Sequence, residues 1–110
     1  MTFFAIGFGR SSGEFAIRCY AKSLQSRGIN ANTIIPGVVN TDIWTRKLKH
    51  LGPRTGLKTR DEVLEHVRKQ TGQRRVLDPS ELGKVVRFIC MTPCITGMSI
   101  NVDYGIHLGR

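Results

Sequence analysis

The sequence predicts an α/β fold in which two short parallel strands are joined by a helical crossover. Residues 29–35 are predicted to form a buried strand that ends at Pro36-Gly37. A second strand is predicted over residues 98–102, where Met98, Ile100 and Val102 alternate with polar residues. Helix-start patterns lie between the two strands. Parallel strands need a long connection, which is almost always right-handed, and both of their faces are normally covered by helices.

The first helix is predicted over about residues 11–26. Ser11 and Glu14 have the spacing of a capping box, with a hydroxyl at the N-cap and a carboxylate three residues later. Apolar residues then recur at helical spacing, and Gly28 provides a stop signal. The strand over residues 29–35 follows directly.

The middle of the chain carries two further helix starts. Thr41 is predicted to cap a short helix over about residues 42–50, and residues 51–56, which contain Pro53, are predicted to be a loop. Thr59 and Glu62 form a second capping-box pattern, and Gly72 lies beyond the end of the helix that follows.

Asp78 marks the clearest helix start in the chain. It is followed by Pro79 at the first helical position and by Glu81 three residues after the cap, and Pro93 lies beyond the helix end. The last strand and a tail without helix complete the order. Two strands alone would leave an open sheet edge, which favours pairing with another chain.

Length and composition indicate one domain of a reducing compartment. With 110 residues and a hydrophobic share of 40%, the chain is long enough for one core. No stretch approaches the roughly 18 apolar residues of a membrane span, and no basic region precedes the apolar N-terminus as in a signal peptide. The three cysteines and three histidines lack zinc-ligand spacing, so we expect no metal site and a cytoplasmic location.

The net charge of +9 arises mostly between residues 46 and 75. This excess is compatible with a solvated surface or with an anionic partner. A basic nucleic-acid-binding module is one alternative function for the chain. The segment disfavours it, because Trp44 is the only aromatic residue nearby and no nucleic-acid motif matches.

Five short motifs, in order, resemble the C-terminal half of a short-chain dehydrogenase/reductase. The main one is Pro-Gly-x-x-x-Thr from Pro36 to Thr41, with Asn32 four residues before it. The others are Arg27-Gly28-Ile29, Pro79-Ser80-Glu81-Leu82 and the pair Thr96-Gly97 and Val102-Asp103. The resemblance implies a partial Rossmann-type fold, the C-terminal portion of a doubly wound parallel sheet. We expect a single partial domain over 1–110, with an atypical N-terminus (1–10), a helix–strand–loop segment (11–42), a substrate-loop region (43–77) and a final helix, strand and tail (78–110).

The same resemblance implies that residues 36–41 grip the nicotinamide end of NAD or NADP. Pro36 stiffens the turn, and Gly37 lets the backbone approach a flat ring. Val39 would offer backbone groups to the carboxamide, and Thr41 would offer a hydroxyl. Without the resemblance, these residues also fit an ordinary strand-ending turn with Thr41 as a helix N-cap.

The family's variable substrate-covering loop corresponds to residues 43–77. In that interpretation Trp44, Leu48 and Leu51 cover a small alcohol or carbonyl substrate; the alternative is that they are ordinary apolar anchors of an amphipathic helix. The implied activity is hydride transfer between NAD(P)(H) and the substrate. A homo-oligomer, or association with an intact subunit of the family, is the implied assembly, and no membrane partner is expected.

The catalytic residues of the family have no counterpart in the aligned positions. Counting back from Gly28, the Tyr position of the family's Tyr-x-x-x-Lys motif falls on Ile6 and the Lys position on Arg10. Ile6 cannot transfer a proton, and Arg10 differs from Lys in geometry and hydration. Gly7-Phe8-Gly9 is too short to replace the family's phosphate loop and, from the sequence, follows no adequate strand. We therefore predict no turnover by these 110 residues, and a non-catalytic interaction fragment remains an alternative.

Overall fold

A computed structural model describes residues 2–6 and 10–109, with side chains from residue 13 to residue 109. The chain forms two compact units, which are described separately. The first comprises Met1–Pro36 with Leu82–Val102, and the second comprises Gly37–Glu81 with Asp103–Arg110. Among the described residues, no helix combines the length and the apolar character needed to cross a membrane.

The first unit contains a three-stranded parallel sheet. Its strands are β1 (Thr2–Ile6), β2 (Asn30–Pro36) and β3 (Ser99–Val102), in the order β1-β2-β3. Thr2 pairs with Asn30 at one end of the β1–β2 ladder, and Pro36 pairs with Val102 at the end of the β2–β3 ladder. The predicted α/β class with parallel strands is therefore confirmed.

The strand β1 corrects the expectation of a two-stranded sheet and of no strand before residues 7–9. Its sequence, Thr-Phe-Phe-Ala-Ile, has no polar alternation. A strand in a parallel sheet is typically apolar on both faces, so an alternation of apolar and polar residues is not expected in its sequence. The central strand is consequently β2, with a partner on each side.

Helix α1 (Arg10–Leu24) continues into a 3₁₀ turn, Gln25–Arg27. Because α1 already includes Arg10, Ser11 lies inside the helix, and its predicted N-cap position is wrong. Gly28 ends the turn in the left-handed conformation with φ of 66°, and its N–H bonds to the Gln25 carbonyl, which confirms the predicted stop. Ile17 and Ala21 of α1 are buried together with Ala31 of β2.

Asn32 is a fully buried polar residue in β2. Its Nδ2 donates to the Ile95 carbonyl at 3.0 Å, and its Oδ1 accepts from the Met98 N–H at 3.1 Å. A buried amide that satisfies two backbone groups fixes the segment between them. Asn32 therefore sets the loop that leads into β3.

The second unit contains α2 (Ile43–Thr55) and α3 (Arg60–Arg68), and its buried apolar residues are Trp44, Val63 and Leu77. The prediction of a loop over residues 51–56 is wrong, because α2 continues to Thr55 and includes Pro53. Pro removes one backbone donor without preventing a helical φ, and Gly56, with φ of 74°, ends the helix through a bond to the Gly52 carbonyl.

Two other helix starts are as predicted. Thr59 accepts from the Glu62 N–H at 3.2 Å, and Glu62 accepts from the Thr59 N–H, so the capping box of α3 is complete. α4 (Pro79–Cys90) contributes residues to both units and begins directly after Asp78, whose carboxylate accepts from the Ser80 N–H at 2.9 Å. The tail is not free of helix, because Ile106–Leu108 forms a 3₁₀ turn.

Candidate functional site

The residues that follow β2, 37–41, form a loop that we call the 37–41 loop. Its backbone is paired with Leu77: the Leu77 N–H donates to the Val38 carbonyl and the Asn40 N–H donates to the Leu77 carbonyl, both at 2.8 Å. In such a parallel bridge the intervening residue turns its own N–H and C=O to the other side. Val39 therefore presents both of its backbone groups away from Leu77.

Gly37 packs directly against the backbone of Asp103. A Cβ atom at residue 37 would lie 2.6 Å from the Asp103 Cβ and 2.7 Å from its Cα. Contacts this short do not occur between real side chains and backbone, so only glycine fits without a shift. This packing is the observed reason for glycine at residue 37, and the approach of a flat ring to it stays a prediction.

Trp44 holds the loop from the first turn of α2. The side chain is 7% exposed, and its Nε1 donates to the Val39 carbonyl at 2.7 Å. The Lys47 ammonium lies 4.6 Å from the centre of the indole ring, which is cation–π distance. Trp44 thus occupies one of the two Val39 backbone groups and fixes the direction of the other.

Thr41 and Asn40 are held by Arg60 of α3. The Arg60 Nη2 donates to Asn40 Oδ1 and, at 3.4 Å, to the Thr41 carbonyl. The prediction that Thr41 caps α2 is wrong: the N-cap is Asp42, in the αR conformation and without a side-chain cap bond. An αR residue before the helix already has nearly helical geometry, so the chain enters α2 without a capping hydroxyl.

Several polar groups of the loop have no partner within the part of the chain that the structure describes. Two of them are the Val39 N–H, on a half-buried residue, and the hydroxyl of the exposed Thr41. One is a donor and the other can donate or accept. The arrangement can therefore bind a planar amide, while it offers no group of its own that exchanges protons near neutral pH.

The structure gives less information on the other residues that the sequence predicted for the site. Leu48 and Leu51 are half-buried and, at helical spacing from Trp44, lie on the same side of α2. Their contact with a substrate stays a prediction. Pro36 closes β2. The side chains of Ile6 and Arg10 lie outside the described residues.

Sequence reasoning missed a hydrogen-bonded Asp–His pair after β3. The Asp103 carboxylate is buried and lies 2.9 Å from His107 Nδ1, and it also accepts from the backbone N–H groups of Gly105 and His107 at 3.0 Å. Burial acts to raise the pKa of Asp103, but these hydrogen bonds outweigh it and lower the pKa below 3.8. The spacing of Asp and His four residues apart was the available signal.

Tyr104 is bound by two groups of the preceding segment. Its hydroxyl donates to Glu81 Oε1, which lowers the pKa of Glu81, and the Arg75 guanidinium lies 4.8 Å from its ring centre. Tyr104 has φ of 49°, a left-handed conformation uncommon for residues other than glycine. The hydrogen bond to Glu81 and the contact with Arg75 therefore hold Tyr104 in a conformation that a glycine would adopt freely.

Residues 8–107 match the family model described as enoyl-(acyl carrier protein) reductase. The chain belongs to the short-chain dehydrogenase/reductase family. A curated relative, the probable tetrahydroxynaphthalene reductase of Zymoseptoria tritici, is 29% identical over 92 residues, which are 82% of this chain and 34% of that protein. The chain thus spans about a third of the length of this relative.

Solved structures of the family share the fold. A variant of actinorhodin polyketide ketoreductase with NADPH superposes with a TM-score of 0.79 at 18% identity, over 96% of this chain and 46% of that one. The L-sorbose reductase of Gluconobacter frateurii, complexed with NADPH and L-sorbose, gives 0.75 at 23% identity, over 87% of this chain and 37% of that one. These similarities establish a partial Rossmann-type fold for this chain.

Proposed function

We propose that this chain forms the nicotinamide-side and substrate-covering part of an NAD(P)(H)-dependent oxidoreductase acting on an alcohol or carbonyl group. The observation that carries the proposal is the 37–41 loop. Its neighbours hold the Val38, Val39 and Thr41 carbonyls, while the Val39 N–H and the Thr41 hydroxyl have no partner among the described residues. Relatives named as reductases, two of them solved with NADPH, support this class of cofactor.

The free groups of the loop fit the carboxamide of a nicotinamide ring. The Val39 N–H would donate to the carboxamide oxygen, and the Thr41 hydroxyl would accept from its amino group. Trp44 keeps the Val39 peptide in this orientation by binding its carbonyl at 2.7 Å. The cofactor, when bound, supplies or accepts the hydride; the residues of this chain bind and orient its ring.

The binding proposal can be tested on the chain itself, because Trp44 is its only tryptophan and contacts the loop directly. Reduced nicotinamide mononucleotide lacks the adenosine half, and its absorption overlaps indole emission. We expect saturable quenching of Trp44 fluorescence with this probe, and also with NADPH or NADH. A titration without saturable quenching would contradict the proposal.

A matched pair of variants makes the same test specific. Thr41→Val removes the hydroxyl with little change of shape, and we expect about tenfold weaker binding, since a net hydrogen bond contributes on the order of 1 kcal/mol. Thr45→Val removes an equivalent hydroxyl from an exposed position of α2 and should leave binding unchanged. Equal effects of the two substitutions would show that Thr41 has no part in binding.

Turnover by a polypeptide of these 110 residues is expected to be undetectable. Ile6 stands where the family has the tyrosine that transfers the proton, and an alkyl side chain has no proton to exchange. A panel of alcohols and ketones, followed by the absorbance of NAD(P)H, checks this expectation. Oxidation or reduction of the cofactor with any panel member would contradict it.

A second candidate function is association with an intact homologue. Phe88 in the last turn of α4 is 62% exposed and Met91, directly after the helix, is 68% exposed. Large apolar side chains exposed near one another favour a protein contact. Co-purification with a full-length homologue is the expected result, and Phe88→Ser should reduce it. A product that stays strictly monomeric beside the homologue would argue against association.

A further inference from the structure

Arg60 is held in a defined place at the start of α3. It is the first residue of the helix, directly after the N-cap Thr59. The capping box fixes this turn, since Glu62 Oε2 also accepts from the Lys58 N–H at 2.7 Å. The backbone from which the Arg60 side chain extends is therefore fixed by bonds on both sides of it.

The Arg60 guanidinium joins two points that are far apart in sequence. Its Nη2 binds Asn40 Oδ1 and the Thr41 carbonyl, 20 and 19 residues earlier. Arg60 thereby connects the two ends of the segment that contains α2. One bonded group is the carbonyl of Thr41 itself and the other is the side chain of the residue before it. Arg60 therefore fixes the backbone from which the Thr41 hydroxyl extends.

The Arg60 side chain is not the best choice for stability alone. Its Nε atom is buried and has no hydrogen-bond partner among the described residues. A buried donor without an acceptor is unfavourable and offsets part of what the Nη2 bonds contribute. A methionine of similar length would avoid that unpaired donor.

We infer that Arg60 is a positioning residue for the cofactor: it acts through Asn40 and the Thr41 carbonyl to hold the Thr41 hydroxyl at the nicotinamide carboxamide. This inference rests on the proposed function. It extends the site to a residue 19 positions beyond the Pro-Gly-x-x-x-Thr motif. It also assigns a role to one of the basic residues between positions 46 and 75.

The test compares Arg60→Met with Arg54→Met in the 110-residue chain. Arg54 is an exposed arginine of α2, so its substitution controls for the loss of one positive charge. Binding of reduced nicotinamide mononucleotide is followed by quenching of Trp44 fluorescence, and urea unfolding is measured for each variant. We expect about tenfold weaker binding for Arg60→Met, because bonds to a charged group are stronger than neutral ones. Unfolding stability should stay close to that of the wild type, and Arg54→Met should change neither quantity.

Two further variants test whether Arg60 affects binding through Asn40 and through its charge. Asn40→Ala should weaken binding by itself and should add little to Arg60→Met, because both remove the same contact. Arg60→Lys keeps the charge and a donor and should recover part of the affinity.

The outcomes separate this inference from the proposed function. Unchanged binding by Arg60→Met, or full additivity with Asn40→Ala, would overturn the inference while the proposed function stands. Weaker binding that is matched by an equal loss of unfolding stability would also overturn it, since the role would then be structural. Absence of quenching in the wild-type chain would overturn both.

Discussion

Replacement of Gly37 by alanine tests the packing on which the 37–41 loop is built. The new Cβ would lie 2.6 Å from the Asp103 Cβ and 2.7 Å from the Asp103 Cα, so backbone and not a flexible side-chain tip must move. Asp103 resists that movement, because its carboxylate is bound by His107 and by the N–H groups of Gly105 and His107.

The magnitude follows from two opposing effects. Insertion of a methyl group into a packed site costs about 1–3 kcal/mol, whereas replacement of glycine by alanine lowers the entropy of the unfolded chain and stabilises the fold by about 0.4–1 kcal/mol. We therefore expect Gly37→Ala to reduce the free energy of unfolding by about 1–2 kcal/mol. In a domain of this size that corresponds to a fall in Tm of roughly 4 °C or more.

Gly83→Ala is the matched control, because the same methyl group added at Gly83 in α4 meets no atom within 4 Å. Alanine in a helix should raise the free energy of unfolding by about 0.5–1 kcal/mol, so the two substitutions have opposite signs. Urea unfolding followed by circular dichroism measures both. A Gly37→Ala protein as stable as the wild type would show that the close approach to Asp103 does not restrict residue 37.

Three other predictions concern polar side chains and their hydrogen bonds. Tyr104→Phe should lower stability and return the pKa of Glu81 towards its ordinary value, which an NMR titration of the Glu81 carboxyl would detect. The pKa of Asp103 is lowered in the folded state from its ordinary value of 3.8, so its stabilising effect is present above pH 3.8 and is lost as pH falls through the folded pKa. His107→Ala should reduce this acid sensitivity in urea unfolding, and an unchanged profile would contradict it. Asn32→Leu should cost about 2–4 kcal/mol, because the Met98 N–H and the Ile95 carbonyl both lose a partner that is itself fully buried. A loss below about 1 kcal/mol, roughly the contribution of one exposed hydrogen bond, would contradict this prediction.

Local signals in the sequence were sufficient where a short segment satisfies its own backbone groups. The Thr59–Glu62 capping box and the left-handed Gly28 involve bonds within four residues, so their residue types and spacing determine the result. The start of α4 after Asp78 is of the same kind.

Elements that depend on distant neighbours were not predictable in this way. The strand β1 is defined by its pairing with β2, in which Thr2 pairs with Asn30, 28 residues later in the chain. The sequence of β1 itself shows no alternation of apolar and polar residues. Proline at residue 53 indicated a loop, yet α2 continues to Thr55. The left-handed conformation of Tyr104 was likewise not predictable, because its hydrogen bond to Glu81 and its ring contact with Arg75 join segments that the sequence does not place together.

For Thr41, the structure removes the competing explanation that the sequence left open. A threonine one residue before a helix most often serves as its cap, and that role would consume the hydroxyl. Here Asp42 precedes α2 without any side-chain cap bond, and the Thr41 carbonyl, not its hydroxyl, receives the contact from Arg60. The hydroxyl therefore contributes nothing to the described fold. In the proposed function this hydroxyl binds the nicotinamide carboxamide, and the comparison of Thr41→Val with Thr45→Val measures that contribution directly.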